Sequence, residues 1–219
     1  MDVKSEAAIA GKSPAIPIGL KLALVMFLAL FVPVYWRTYG PANFLWACDM
    51  ALILTTIGVW LENSLLISIC ALAVLVPQCV WTADYAGRLL GIHACVLTNY
   101  MFDPKLPLVA RALSLFHAWL PLLLMWLLQR LGYNRRALPV VIWLAAALLL
   151  ASCIFASSAN SADGGSDNAN LNFVHHLGNW HLEKWMGVRC YLVFWWAILC
   201  VGMFLPVHLA LGALFRKSN

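Results

Sequence analysis

Charge is scarce in this chain of 219 residues: 11% are Asp, Glu, Lys or Arg, while 63% are hydrophobic. Soluble domains carry roughly 25% and 45–50% respectively, and none of this size has an interior large enough to hide so much apolar surface. The apolar stretches do not alternate with polar residues, which excludes a transmembrane β-barrel. The seven cysteines contain no Cys-x-x-Cys pair and mostly sit inside apolar runs, so they read as small buried hydrophobes rather than a redox or metal motif. No internal repeat occurs. No small-residue cleavage site follows the first apolar stretch, which is also longer than a signal peptide's core, so that stretch reads as a retained span.

What the sequence has instead is long apolar runs, several exceeding the roughly 18 residues that mark a bilayer-crossing helix. They predict an all-α polytopic bundle over residues 16–215, with six spans at 16–36, 41–62, 64–83, 106–131, 137–157 and 186–212. The links 37–40 and 62–63 leave room only for antiparallel hairpins. Residues 88–104 are too short and too interrupted to span, and read as an interfacial or re-entrant segment. Residues 158–184 read as an extramembrane loop, flexible over Asp163–Asn168 and anchored at the surface by the aromatic and histidine residues that follow.

The net charge of +5, from 14 Lys and Arg against 9 Asp and Glu, is scattered over termini and short loops. That is a topology signal, not a nucleic-acid footprint. An even number of spans puts both termini together, and the larger share of basic residues, including Arg130, Arg135 and Arg136, falls on their side. The expectation is therefore a cytoplasmic segment over 1–15 and both termini in the cytoplasm.

Counting from the span ends brings one set of polar residues to the side that receives the long loops. It contains Asn43, Cys48 and Asp49 of span two, Gln78, Thr82 and Asp84 of span three, Arg111, Ser114 and His117 of span four, and Arg189 of span six. Asp49 is the costliest, since an ionised carboxylate inside an apolar helix is penalised by about 2.5–3.5 kcal/mol. It needs a partner, and Arg111, at similar depth, is the first candidate, with His117 next. His117 shares a helical face with Ser114 and Pro121, a stripe that points into the bundle. Two readings of this cluster stand side by side: an ion pair that locks helices together, or the polar end of a cavity. Cys48 supplies a thiol to the same group. His175, His176 and His181 lack a ligand set, so no metal or other cofactor is expected, and the eleven tryptophans suit an aromatic belt at the span ends.

The pair Cys48-Asp49 in an early span, Leu115-Phe116-His117 in a later one, and the run Asn170-Leu171-Asn172-Phe173-Val174 before the last span resemble the bacterial YwaF-like integral membrane proteins. Those are similar to a eukaryotic transmembrane acyltransferase of ether-lipid remodelling. The resemblance covers about residues 41–205. It implies a bacterial cytoplasmic-membrane protein that acts on membrane lipid through a catalytic cysteine and histidine, which here are Cys48 and His117. On that reading Asp49 assists catalysis, while Arg111, Ser114, Asn43 and Gln78 bind or orient the substrate. The rival readings are a small-solute carrier or channel built on the same polar cluster, and a non-catalytic scaffold.

Overall fold

The computed structural model describes residues 16–92, 97–162, 167–175 and 182–215, with side chains described over 16–92, 97–155, 170–175, 182 and 184–215. The expected cytoplasmic segment 1–15, the stretch around His93, most of the Asp163–Asn168 run, His176, His181, Arg216 and Lys217 lie outside the described structure or its described side chains. Every regular element described is helical. In chain order these are α1 (Ile18–Tyr39), α2 (Ala47–Trp60), α3 (Ser64–Leu89), α4 (Leu108–Leu113), α5 (Phe116–Leu131), α6 (Ala137–Ala162), α7 (Glu183–Met186), α8 (Val188–Ile198) and α9 (Leu205–Leu214). A π-helical turn, Leu199–Phe204, fuses α8 to α9, and 3-10 turns occupy Pro41–Leu45, Asn99–Phe102 and Asp167–Phe173.

Five stretches are long and apolar enough to cross a membrane: 18–39, 64–89, 108–131, 137–155 and 188–214. The chain is thus a multi-pass integral membrane protein. Span two departs from expectation. Instead of one helix over 41–62, the chain makes a 3-10 turn, breaks at Trp46 in extended geometry, and starts a helix of 14 residues at Ala47. At 1.5 Å per residue α2 is about 21 Å long, short of a hydrocarbon core of roughly 30 Å.

Hydrogen bonds fix the direction of each helix. The amide of Ile16, before α1, donates to Glu62 Oε1 after α2 at 3.2 Å, and Lys21 pairs with the same oxygen at 2.7 Å. Short as it is, α2 therefore returns the chain to the face where α1 began. Asn134 N donates to Ser68 Oγ at 2.9 Å and Arg135 reaches Gly212 O at 3.4 Å, which brings the α5–α6 turn and the end of α9 to that same face. The two ends of the described chain share one face. On the opposite face Thr98 donates through N (2.9 Å) and Oγ1 (2.7 Å) to the buried carboxylate of Asp84, pinning the Asn99–Phe102 turn to the end of α3.

Local chemistry accounts for the corners. Asn63 caps α3 by accepting from Leu65 N and Leu66 N, the ordinary role of a short polar side chain at a helix start. Gly40, at φ +80°, ends α1 in a conformation that other residues resist. Inside the hairpin of α2 and α3, Gly58 allows close approach: a Cβ there would lie 2.9 Å from Ile67 Cδ1. α3 is the central helix, packed against α2, α5 and α6. The core along it, including Leu52, Ile67, Leu72, Phe116, Leu120 and Leu124, is fully shielded. The α8–α9 stretch lies at the periphery, with few of its side chains buried.

The stretch Asn170–Val174 packs against the helices, with Leu171 and Val174 fully buried. Asn172, at φ +50°, reaches Ser152 on α6, about 22 Å along that helix from Ala137.

Candidate functional site

A cavity of about 760 Å³ opens among α2, α3, α5, α6, the Asn99–Phe102 turn and the Asn172 loop. Most of its wall is apolar, supplied by residues such as Leu54, Ile69, Val76, Leu144 and Leu148. The polar groups gather on the face opposite the chain ends. Asn43 comes from the 3-10 turn before α2, Cys48 and Asp49 from the start of α2, His117 from α5, and Asn99 and Tyr100 from the turn after α3.

The break at Trp46 shapes this end of the cavity. Because α2 begins at Ala47, Cys48 and Asp49 lie in its first turn, where backbone N–H groups have no acceptor one turn back. Met50 N bonds to Trp46 O and Ala47 N to Asn172 Oδ1 at 3.0 Å, whereas the N–H groups of Cys48 and Asp49 make no backbone hydrogen bond. Those two N–H groups have no hydrogen-bond partner among the described residues.

Asp49 is 3% exposed and accepts a hydrogen bond of 2.6 Å from Asn43 Nδ2 at Oδ2. The expected ion pair with Arg111 does not form. Arg111 Nη1 donates instead to Met101 O at 3.2 Å, and no ion pair among the described residues joins it to Asp49. The reason is the late start of α2: Asp49 is not deep inside a helix but at a helix N-terminus, where partial positive charge favours a carboxylate and the Asn43 amide meets one of its oxygens. Arg111 does not line the cavity, and Arg189 is exposed on α8.

His117 follows the turn at Ser114 and Leu115 that joins α4 to α5. Its Nδ1 lies 2.8 Å from Ser114 O. A carbonyl can only accept, so Nδ1 carries the proton and Nε2 is left as the ring's acceptor. The ring stacks on Trp81 with centroids 4.7 Å apart, held between that indole and Phe116. Ser114 lies behind the histidine: its hydroxyl meets Tyr35 Oη at 2.5 Å and its carbonyl orients the imidazole. Gln78, one residue after Pro77 in α3, is fully buried, and its side-chain amide has no hydrogen-bond partner among the described residues. The structure thus gathers Asn43, Cys48, Asp49 and His117 on one cavity, puts Ser114 and Gln78 immediately behind them, and separates Arg111.

Three contributors escape a sequence reading. Tyr35 sits in an apolar span and gives no periodic signal. Tyr100 donates no obvious motif, yet it lines the cavity and accepts from Trp81 Nε1 at 3.2 Å; burial raises its phenol above the ordinary value, so it stays protonated. Asn172 joins four elements at once. Its side chain accepts from Ala47 N and donates to Leu45 O (2.6 Å) and Ser152 Oγ (2.8 Å), while its carbonyl accepts from Trp195 Nε1 at 3.1 Å.

Among the described residues no cluster of His, Cys, Asp or Glu could hold a metal ion. No family model matches the chain, and no curated protein or solved structure matches it either.

Proposed function

We propose that this membrane protein acts on lipid acyl esters held in the cavity, with Cys48 as nucleophile and His117 as general base. The observation that carries this reading is the convergence of Cys48 and His117, from helices far apart in sequence, on a cavity whose other walls are apolar. Its volume of about 760 Å³ falls within the roughly 300–1,000 Å³ typical of small-molecule sites. Each methylene placed against such a wall gains about 0.8 kcal/mol over water.

The chemistry follows from the groups present. The Cys48 sulfur attacks the ester carbonyl while the thiol proton passes to Nε2 of His117. The free N–H groups of Cys48 and Asp49 meet the carbonyl oxygen as it gains negative charge. The carbon–oxygen bond breaks, the alcohol leaves with the proton from His117, and the acyl group stays as a thioester on Cys48. An acceptor hydroxyl, or water, then attacks the thioester with His117 again taking the proton, and the thiol is restored. Asn43 and Asp49 hold the start of α2 in place, and Ser114 holds the imidazole.

The test is direct trapping. Purified protein is incubated with a fluorescent acyl ester and examined for an adduct on Cys48 released by neutral hydroxylamine. The proposal expects that adduct in the wild type and none in Cys48→Ala. An adduct on Cys70, which also lines the cavity, or none at all, removes the nucleophile.

A second reading, a carrier, draws on the shortness of α2 and the backbone break at Trp46, since interrupted helices ending at an internal site are how carriers build binding sites. Flux across sealed vesicles that survives Cys48→Ala would select it.

A further inference from the structure

The charges that line the cavity are all of one sign. Asp49 and Asp103 contribute carboxylates, while no lysine or arginine among the described residues lines it. Lys105, close in sequence, is exposed, and Asp103 Oδ1 accepts from its backbone amide at 2.9 Å rather than from its ammonium. Asp49 is the sharper of the two. It is 97% shielded, its Oδ2 is used by Asn43, and Oδ1 has no hydrogen-bond partner among the described residues although the residue lines the cavity. A buried carboxylate oxygen left open toward a cavity calls for a donor from the ligand.

Aromatic rings line the same cavity. Trp46, three residues before Asp49, packs edge-on against Phe173 at 5.7 Å, and Phe173 against Trp195 at 6.3 Å. All three line the cavity, and Asn172 ties this group to the first amide of α2. A cavity that holds both a carboxylate and aromatic rings suits an ammonium group, which gains from ring quadrupoles as well as from the charge. A phosphate in the same cavity would meet carboxylates with no lysine or arginine among the described lining residues to balance it, a repulsion strengthened by the low dielectric of the site.

We propose that the cavity selects an amphiphile whose polar end is a protonated amine and carries no phosphate, with the ammonium on Asp49 Oδ1 and the chain along the apolar wall. This rests on the reading that the cavity holds a lipid-like chain, but not on any turnover by Cys48.

The experiment is a competition assay on the purified, detergent-solubilised Cys48→Ala protein, which separates binding from chemistry. Radiolabelled dodecylamine is the probe, and unlabelled dodecylamine, dodecanol and dodecyl phosphate compete. The amine should bind at least about tenfold more tightly than the phosphate, a single charge-assisted contact being enough for that ratio. Asp49→Asn should bring amine and dodecanol to within about threefold, while Asp103→Asn keeps most of the preference. Equal binding of amine and phosphate, or tighter binding of the phosphate, overturns the headgroup assignment and leaves the cavity as a chain-binding site. If none of the three compounds binds, the lipid-cavity reading falls with it. A preference for the amine that persists undiminished in Asp49→Asn overturns the role of Asp49.

Discussion

Asn43 Nδ2 lies 2.6 Å from Asp49 Oδ2, and this contact, closed within six residues of chain, takes the place of a long-range ion pair with Arg111. It brackets the break at Trp46 and holds the start of α2 against the turn that precedes it. A double-mutant cycle on thermal unfolding in detergent checks the assignment. Asn43→Ala and Asp49→Asn should couple by about 1.5–3 kcal/mol, as hydrogen bonds to charged groups do. Asp49→Asn with Arg111→Gln should be additive to within about 0.5 kcal/mol. Strong coupling of the second pair with none in the first would reverse the assignment.

Asn172 sits at φ +50° and spends both its donor and its acceptor on other elements. Alanine in its place leaves Leu45 O, Ser152 Oγ and Ala47 N without that partner and loses asparagine's tolerance of the left-handed region. Asn172→Ala should cost about 2–4 kcal/mol, several unmade buried hydrogen bonds together. Asn172→Gly, which relieves only the backbone, should recover little of it. Unfolding midpoints of the two variants measure the difference.

The hairpin of α2 and α3 offers a packing test. A methyl group at Gly58 would sit 2.9 Å from Ile67 Cδ1, the far end of a fully buried side chain. Gly58→Ala should lower stability by about 1–2 kcal/mol, as overpacking does. Ile67→Val removes the clashing carbon and alone should cost about 0.5–1.5 kcal/mol. Together they should cost less than their sum, and a purely additive pair would show that the contact is not the cause.

The apolar runs made the long helices legible: α1, α3 and the 188–214 stretch begin or end within a few residues of where hydrophobicity changes. The site was legible only as a set of residue types near one face. Asp49 was misplaced because hydrophobicity over 41–62 is unbroken, while the backbone break at Trp46 leaves no composition signal. Asn170–Val174 stood out as a run before the last span, but its packing against the helices depends on where Leu45, Ser152 and Trp195 come to lie, which no local pattern encodes. Tyr35 was invisible for the same reason, its partner Ser114 being 79 residues away.

Topology supplies another expectation. The bonds from Ile16 to Glu62 and from Arg135 to Gly212 put both ends of the described chain on one face, and the basic residues of the α5–α6 turn lie there as well. The positive-inside bias predicts that this face is the cytoplasmic one. A reporter fused after Asn219 should be active on the cytoplasmic side, and a cysteine introduced at Asp103 should react with an impermeant maleimide added from outside. The opposite result in both assays inverts the orientation; disagreement between them breaks the shared-face arrangement.

The last expectation concerns how Cys48 and His117 act together. If both serve one acyl transfer, removing either abolishes the step, so Cys48→Ala, His117→Ala and the double variant should all lose turnover of the acyl ester to the same residual level. Two independent contributions would instead multiply. His117→Gln adds a control, since glutamine can still donate to Ser114 O and fill part of the space against Trp81 but cannot take a proton at neutral pH. It should keep the unfolding midpoint closer to wild type than His117→Ala while remaining as inactive. Ser114 contributes to the imidazole through its backbone carbonyl, so Ser114→Ala should leave the orientation of His117 intact and lose only the contact with Tyr35. Its turnover should therefore fall by less than about tenfold, the scale of one neutral hydrogen bond. Full activity in His117→Gln would show that the histidine is held there for packing alone.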